Sequence, residues 1–243
     1  MPEYGLIGKS LSHSASAVLF DQKFKDEKLT DCKYSLFELN TIEDFPLLIS
    51  SNPLLKGLNV TIPYKTAVIP FLNELDETAI AVGAVNTIVI KNNLLKGYNT
   101  DVIGFKKSLE QFIGSRKPKA LIAGTGGAAK AVMYVLSKQG IEFTCVSRKP
   151  ADNMLTYGEV TAEILRKHQL IINCTPLGRF PDVHSYPPLP YAELTEDHFL
   201  LDLNYNPEES VFLKEGLNHF TAVQNGKSML IEQAQASWEI WNS

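Results

Sequence analysis

Two hydrophobic spacings alternate along the chain, and together they predict an α/β protein. Apolar residues at every second position, or in short unbroken runs, indicate strands, and apolar residues three and four positions apart indicate amphipathic helices. In the first hundred residues these spacings predict three strands, at 4–8, 33–39 and 55–63, and four helices, at 14–27, 41–50, 65–75 and 77–82. A hairpin is then predicted to turn at Asn92 and Asn93, because asparagine tolerates the positive backbone angles of a tight turn.

The remainder of the chain alternates strands with helices, which favours a parallel sheet with right-handed crossovers. After a helix at 102–113, strands are predicted at 119–123, 142–147, 169–174, 199–203 and 219–223, and helices at 127–139 and 161–168. A last helix with an apolar face, 228–241, has no strand after it. The predicted fold is therefore α/β with two domains, an N-terminal α/β domain and a Rossmann-type dinucleotide-binding domain.

The composition of the 243 residues narrows the function classes. The formal net charge is −4, so the basic excess typical of nucleic-acid binders is missing. No apolar run reaches the length of a membrane span and the N-terminus lacks a signal-peptide pattern, so we expect a cytoplasmic protein that binds neither nucleic acid nor membranes. Cys32, Cys145 and Cys174 are odd in number and widely spaced, which argues against disulfides and a zinc site, and no metal is expected.

The stretch LIAGTGGAAKAV, at 121–132, places a glycine-rich turn between a predicted strand and a predicted helix. Gly124, Gly126 and Gly127 allow the backbone to turn sharply and to approach a ligand closely, while the helix offers unpaired amide groups and its positive dipole end to a phosphate. This pattern is typical of a dinucleotide pyrophosphate site. Close packing alone also produces such turns, so the flanking residues must decide.

Ser147, Arg148 and Lys149 end the next predicted strand, a position that distinguishes the two nicotinamide cofactors. A carboxylate there would hydrogen-bond the ribose 2′-hydroxyl of NAD, whereas a guanidinium can bind the 2′-phosphate of NADP with two parallel hydrogen bonds. The chain supplies a hydroxyl and two cations. NADP(H) is therefore predicted as cofactor, with a solvated basic loop as the alternative.

Polar clusters follow predicted strands of the first hundred residues, where side chains can converge in a cleft. In LSHS, Ser12 and Ser14 offer two hydroxyls suited to a carboxylate, although helix capping is the simpler explanation of Ser14 taken alone. In NVTIPYK, Thr61 and Lys65 flank a proline turn, and the alternative to a catalytic Lys65 is an ordinary solvated lysine. In GYNTD, Asp101 is either a site carboxylate or the acidic start of a helix.

Asn86, in GAVNT, adds an amide at the start of a predicted strand. The alternative to a site role is that Asn86 is a turn residue whose hydrogen bonds are satisfied locally.

The motifs of the chain follow one another in the order GLIG with LSHSAS, GLNVTIPYK, GAVNT, GYNTDVIGF, GTGGAA, INCTPLG and GKSMLIEQA. In this order and spacing they resemble the shikimate dehydrogenase family over nearly the whole chain. The resemblance implies an oxidoreductase of the shikimate pathway, which reversibly reduces 3-dehydroshikimate to shikimate with NADPH.

The resemblance also implies two domains with different ligands. Residues 1–101 and 225–243 would form the substrate-binding catalytic domain, to which the last helix returns, and residues 102–224 the NADP-binding domain. Lys65 and Asp101 match the family's catalytic pair. Substrate contacts are implied for Ser12, Ser14, Thr61, Asn86, Tyr205 and Gln233, with Asp101 also binding a ring hydroxyl. Cofactor contacts are implied for Gly124, Thr125, Gly126, Gly127, Ala128, Ser147, Arg148, Lys149, Thr175, Leu203 and Gly226.

Several positions depart from the family pattern. Ser10 and Ala17 replace prolines near the first serine cluster, and Phe20 and Asp21 replace a His-Asn pair, without removing the serine hydroxyls. Arg179 replaces a methionine near the nicotinamide. A crossover helix in the cofactor domain is shortened, which predicts a more open adenosine side.

Two other functions are kept as alternatives. A quinate or dual quinate/shikimate dehydrogenase using NAD would share the fold, but Arg148 argues against NAD, and Ser12 with Ser14 favours shikimate. A catalytically silent nucleotide-binding regulator would need neither Lys65 nor Asp101. The expected partner is a small-molecule substrate, and the expected assembly is a monomer or homodimer.

Overall fold

The structure of the protein, a computed structural model, describes residues 1–12 and 14–243 and confirms the α/β class. It contains two compact units, Met1–Gly104 with Ile231–Ser243, and Phe105–Leu230. His13 of the LSHS motif lies outside the described residues. None of the described helices combines the length and the hydropathy needed to cross a membrane. The assignment of substrate and cofactor to separate domains stays a prediction.

A mixed sheet of six strands forms the centre of the first unit. Its strands are β1 (Glu3–Gly8), β2 (Lys33–Glu38), β3 (Leu55–Val60), β4 (Glu74–Leu75), β5 (Thr87–Lys91) and β6 (Leu94–Tyr98). Its helices are α1 (Ala15–Asp26), α2 (Phe45–Ser51), α3 (Tyr64–Ala67), α4 (Glu77–Val82) and the start of α5 (Asp101–Ile113). The strands pair in the order β2-β1-β3-β5-β6-β4, with β1 parallel to both neighbours and the β5–β6 hairpin antiparallel.

A second sheet of six strands, all parallel, forms the centre of the second unit. Its strands are β7 (Ala120–Ala123), β8 (Phe143–Ser147), β9 (Met154–Thr156), β10 (Leu170–Asn173), β11 (Phe199–Asp202) and β12 (Ala222–Gln224). Its helices include α6 (Gly127–Gln139), α7 (Ala162–Lys167) and α8 (Val211–Leu217). The last helix, α9 (Lys227–Trp241), begins in this unit and continues into the first from Ile231 onward. The order β12-β11-β10-β7-β8-β9 reverses direction at β7, which confirms the Rossmann-type prediction and marks the edge where such sheets bind ligands.

The largest error in the predicted elements is the helix at 65–75. The chain instead forms the short α3, a 3₁₀ turn at Ile69–Phe71 and strand β4. Pro70 lies in the 3₁₀ turn, and a proline inside a helix removes one hydrogen bond and clashes with the preceding turn. The short strand β9 and helix α8 were not predicted, because three and seven residues are too few to establish a hydrophobic period.

The last helix packs on the sheet of the first unit, as predicted. The indole Nε1 of Trp241 donates to the backbone oxygen of Ile88 in β5 at 3.0 Å. The ring of Trp241 also stacks on Tyr4 of β1, with ring centroids 4.9 Å apart. A helix distant in sequence therefore completes the core of the N-terminal unit, which explains its apolar face.

Candidate active site

Lys65 and Asp101 form a partly buried ion pair in the first unit. Lys65 Nζ lies 2.5 Å from Asp101 Oδ2, and the two side chains are only 16% and 7% exposed. Lys65 lies in α3, immediately after the turn that ends β3, and Asp101 is the first residue of α5. Two unrelated elements thus present a lysine and a carboxylate to each other. An ion pair with so little solvent around it is screened far less than a surface pair.

Asn86 fixes the other oxygen of this carboxylate. Its Nδ2 donates to Asp101 Oδ1 at 2.9 Å, while its Oδ1 accepts from the backbone nitrogen of Thr100 at 2.7 Å. A backbone N–H can only donate, so the Thr100 contact determines which way the amide faces. Asn86 Nδ2 also lies 3.4 Å from Gln233 Oε1. The structure therefore gathers Lys65, Asp101, Asn86 and Gln233 in one cluster.

The serine and threonine candidates lie on the loops after β1 and β3. Ser14 is the N-cap of α1, and its Oγ accepts from Ser16 N at 3.3 Å, so the capping interpretation is confirmed. A hydroxyl that accepts one hydrogen bond still has its proton to donate. Ser12 is exposed, and Thr61 is half-buried with its backbone nitrogen donating to Ile7 O at 2.9 Å. A substrate-binding role for these three hydroxyls stays a prediction.

The glycine-rich turn after β7 has the geometry of a phosphate site. Gly124 has a φ of +104°, which side-chain-bearing residues rarely adopt, so glycine is required there. Gly126 is the N-cap of the 13-residue helix α6 and makes no side-chain capping bond; a Cβ placed on it would meet open space. The first amide groups of a helix lack partners within the helix, and the space beside Gly126 is open, which together fit the pyrophosphate of NADP(H).

Ser147, Arg148 and Lys149 lie beside this turn in the sheet. β8 is the parallel neighbour of β7, so the carboxyl ends of the two strands lie at the same edge. Arg148 and Lys149 are exposed, and Lys149 N donates to Ser147 Oγ at 3.3 Å. Burial raises the pKa of Tyr157, and the positive charge of Arg148 partly opposes this shift. A guanidinium free of a carboxylate partner in the described structure suits a 2′-phosphate.

The remaining cofactor candidates lie on turns at the same sheet edge, with Thr175 after β10, Leu203 after β11 and Gly226 after β12. Thr175 Oγ1 donates to Asn173 Oδ1 at 2.6 Å, and Leu203 N donates to Asn173 O at 2.9 Å. Gly226 is buried, and the substrate candidate Tyr205, which follows β11, is half-buried. Because β10 is the other neighbour of β7, these turns flank the glycine-rich turn from the side opposite to Arg148.

Comparison with known proteins identifies the family. The family model described as "Shikimate dehydrogenase substrate binding domain" matches residues 6–88. A shikimate dehydrogenase (NADP(+)) of Clostridium beijerinckii is 42% identical, with 99% of this chain and 92% of the relative covered. The chain belongs to the shikimate dehydrogenase family.

Solved structures of family members share the fold over nearly the full length. A shikimate dehydrogenase in complex with NADP+ is 33% identical and has a TM-score of 0.89, covering 99% of this chain and 90% of the other. The shikimate 5-dehydrogenase from Thermus thermophilus, solved with NADP(H) and shikimate, is 28% identical with a TM-score of 0.88, covering 99% and 93%. The two-domain architecture predicted from the sequence is that of these relatives.

Four buried polar residues behind the Asn86 amide were not predicted. Ser237 Oγ of α9 lies 2.8 Å from Thr87 Oγ1 and 3.1 Å from Thr100 Oγ1, and it accepts from Asn59 Nδ2 at 2.9 Å. Asn59, Thr87 and Thr100 lie inside motifs that carry site residues, and this position could have marked them as supporting residues. For Ser237 the signal was its position four residues after Gln233, on the same face of a helix.

Proposed function

We propose that the chain catalyses the reversible reduction of 3-dehydroshikimate to shikimate with NADPH, as a shikimate dehydrogenase. The observation that carries this proposal is the Lys65–Asp101 ion pair held by Asn86 in the first unit. A nucleotide-binding protein without catalysis has no need for a partly buried lysine beside a carboxylate. The family membership and the phosphate-type turn of the second unit support the same reaction.

Lys65 stabilises the developing negative charge in this reaction and donates the proton. Reduction of a ring ketone places negative charge on its oxygen, and an ammonium at hydrogen-bond distance stabilises that charge and then donates a proton. Asp101 orients the ammonium through Oδ2 and retains lone pairs that accept from a ring hydroxyl of the substrate. NADPH, when bound, supplies the hydride. In shikimate oxidation the same lysine accepts the hydroxyl proton.

The substrate is held by polar groups around this pair. Ser12 and Ser14 bind its carboxylate with their hydroxyl protons, and Thr61 with Asn86 binds ring hydroxyls. Gln233 completes the contacts of this unit, and a substrate contact of Tyr205, which the family resemblance implies, stays a prediction. In this proposal residues 1–101 with 225–243 act as the substrate domain and 102–224 as the cofactor domain.

The second unit binds NADP(H) along one edge of its parallel sheet. The turn from Gly124 through Thr125, Gly126 and Gly127 to Ala128 receives the pyrophosphate at the start of α6. The strand end Ser147–Lys149 binds the 2′-phosphate, with Arg148 as the planar donor. Thr175, Leu203 and Gly226 contact the remainder of the cofactor.

An absorbance assay separates the candidate functions. Mixing the protein with shikimate and NADP is expected to produce absorbance in the NADPH band, and this production should exceed that from quinate and NAD. A quinate dehydrogenase would give the reverse order. A silent regulator would give no absorbance change with either pair, although it would bind the nucleotide.

The state of the cysteines bears on the cellular compartment of the protein. The three cysteines are free thiols in the structure, which suits a reducing compartment, and we propose the cytoplasm. The partner is a small molecule rather than a nucleic acid, and the assembly, a monomer or homodimer, stays a prediction.

A further inference from the structure

The second unit contains a buried carboxylate that the proposed reaction does not use. Asp202, the last residue of β11, is fully buried. Its Oδ1 accepts from Asn173 Nδ2 at 3.0 Å and from Asn204 N at 2.9 Å, and its Oδ2 accepts from Ser210 Oγ at 2.5 Å. All three donors are neutral, and burial raises the pKa of Asp202 to about 6. No cation pairs with this carboxylate among the described residues, and a carboxylate buried in that way lowers stability, so its presence indicates another role.

Asn173 connects Asp202 to the turn after β10. A carboxylate oxygen accepts, so the amide nitrogen of Asn173 faces Asp202 and the amide oxygen faces Thr175. This oxygen accepts from Thr175 N at 3.0 Å and from Thr175 Oγ1 at 2.6 Å. The same hydroxyl accepts from Leu177 N at 3.2 Å. Asn173 Nδ2 also donates to Leu177 O at 3.2 Å, so Asp202 and the backbone of this turn together orient the amide that receives the Thr175 hydroxyl.

Asn204 connects Asp202 to the turn after β11 and to the start of α9. The backbone oxygen of Asn204 accepts from Gly226 N at 2.9 Å, and Asn204 Nδ2 donates to Thr175 O at 3.0 Å. A Cβ on Gly226 would lie 2.1 Å from Leu203 O, so these backbone segments touch with no room for a side chain. Any shift of the Asn204 turn must move Leu203 and Gly226 together.

We propose that Asp202 is a positioning residue for NADP(H): through Asn173 and Asn204 it holds the turns after β10 and β11 in the conformation that binds the cofactor. This role rests on the proposed function, because Thr175, Leu203 and Gly226 are cofactor contacts only there. Asp202 itself, being fully buried, acts through its neighbours. Loss of its Oδ1 would remove one hydrogen bond from each turn and loosen both, while the substrate cluster around Lys65 stays intact.

The test is a fluorescence titration of the full-length protein with NADPH, at a temperature well below the unfolding transition. Asp202→Ala is expected to raise the Kd for NADPH about tenfold or more, with the KM for shikimate changed less than about twofold. Asp202→Asn keeps an oxygen at the Oδ1 position and can donate to Ser210 Oγ, so its Kd is expected within about threefold of the wild-type value. Rescue by asparagine separates positioning from charge.

Ser210→Ala is the matched control. It removes the partner of Asp202 Oδ2 and the cap of α8, which costs stability, but it leaves both hydrogen bonds of Oδ1 in place. Its Kd for NADPH is expected to be unchanged. Equal weakening of NADPH binding in Ser210→Ala and Asp202→Ala would show that the effect is general destabilisation and would overturn the proposal.

Asn173→Ala keeps the test decisive if Asp202→Ala does not fold, because it removes the amide that links Asp202 to Thr175 and Leu177 and leaves the link to Asn204 in place. Its Kd for NADPH is expected to rise about fivefold. An unchanged Kd in folded Asp202→Ala, or in Asn173→Ala where that variant must stand in, would also overturn the positioning role. Failure of the wild-type protein to bind NADPH would contradict the proposed function itself, so the two failures are distinguishable.

Discussion

Asp101 and Asp202 are two buried carboxylates with opposite surroundings. Asp101, in the first unit, faces a lysine ammonium at 2.5 Å and an asparagine amide. Asp202, in the second unit, accepts from two N–H groups and one hydroxyl, all of them neutral. The first carboxylate therefore orients a charged group that can exchange a proton with a substrate. The second organises backbone turns and contributes no reactive group of its own.

The comparison shows that burial alone does not identify a catalytic carboxylate. Asp202 is the more deeply buried of the two, with a relative exposure of 0% against 5% for Asp101, and its pKa is raised by desolvation. The hydrogen-bond partner of the carboxylate decides its role. Lys65, the partner of Asp101, is a cation that is itself partly accessible and can therefore exchange a proton with a bound molecule. Four substitutions test the roles assigned to these groups and to the cofactor site.

Lys65→Ala should have the largest effect. Without the ammonium, nothing at this position stabilises charge on the ketone oxygen, and turnover is expected to fall by about a hundredfold or more while substrate affinity changes much less. Steady-state kinetics with shikimate and NADP measure both quantities. Lys56→Ala, an exposed lysine on β3, is the control. Near-normal turnover in Lys65→Ala would refute the catalytic assignment.

Asp101→Asn should reduce turnover by about ten- to a hundredfold, because an amide keeps the shape but removes the charge that orients Lys65. The same kinetic assay measures the loss, and Asp197→Asn, at an exposed position, controls for a general charge effect. If Asp101→Asn stayed within about twofold of wild type, Asp101 would be no more than a structural group like Asp202.

Arg148→Ala should raise the KM for NADPH by about tenfold or more and leave the KM for NADH nearly unchanged, because only NADPH carries the 2′-phosphate. Parallel measurements with the two cofactors test this. Arg166→Ala is the control, since that guanidinium already pairs with Glu193 at 2.9 Å. Equal changes with both cofactors would contradict a 2′-phosphate site at Arg148.

Asp202→Asn should have the smallest effect on activity but a distinct effect on stability. The pKa of Asp202 rises from the usual 3.8 to about 6 on folding, so the native state binds more protons than the unfolded state between these values. The Asp202 contribution to stability is therefore fully present below pH 3.8 and is lost as pH rises through 6. Relative to wild type, Asp202→Asn should gain about 1 to 3 kcal/mol of unfolding free energy between pH 4 and pH 8.

Urea unfolding of both proteins at a series of pH values measures this gain. The comparison isolates Asp202, because every other titrating group is common to the two proteins. A difference that stays constant with pH would mean that Asp202 is ionised at no cost, and the contrast with Asp101 would lose its electrostatic basis.

Local chemistry made much of the fold predictable. The turn at Asn92 and Asn93 has positive φ at both residues. Gly124 has a φ of +104°, which only glycine adopts readily. The helix predicted at 127–139 is α6. Each of these features depends on neighbours within a few residues, so one stretch of sequence contains its cause. The helix predicted at 65–75 failed because Pro70 sits inside an otherwise helical spacing.

The supporting residues were not predictable in the same way. Ser237 meets Thr100 across 137 positions of sequence, and Asp202 meets Asn173 across 29. Motif membership or helical spacing marks some of these residues in the sequence, but it does not show which groups they meet. Their importance arises from the groups that the fold places opposite them.

The residue types of the candidate site, the dinucleotide-type turn and the alternation of strands and helices could be read from the sequence. These depend on backbone preference and hydrophobic period, which act locally. Only the tertiary structure decided that Asn86 turns its nitrogen to Asp101, that α9 completes the first unit, and that Asp202 accepts from two different turns. Hydrogen-bond direction and burial depend on which distant groups meet, and a linear pattern does not contain that information.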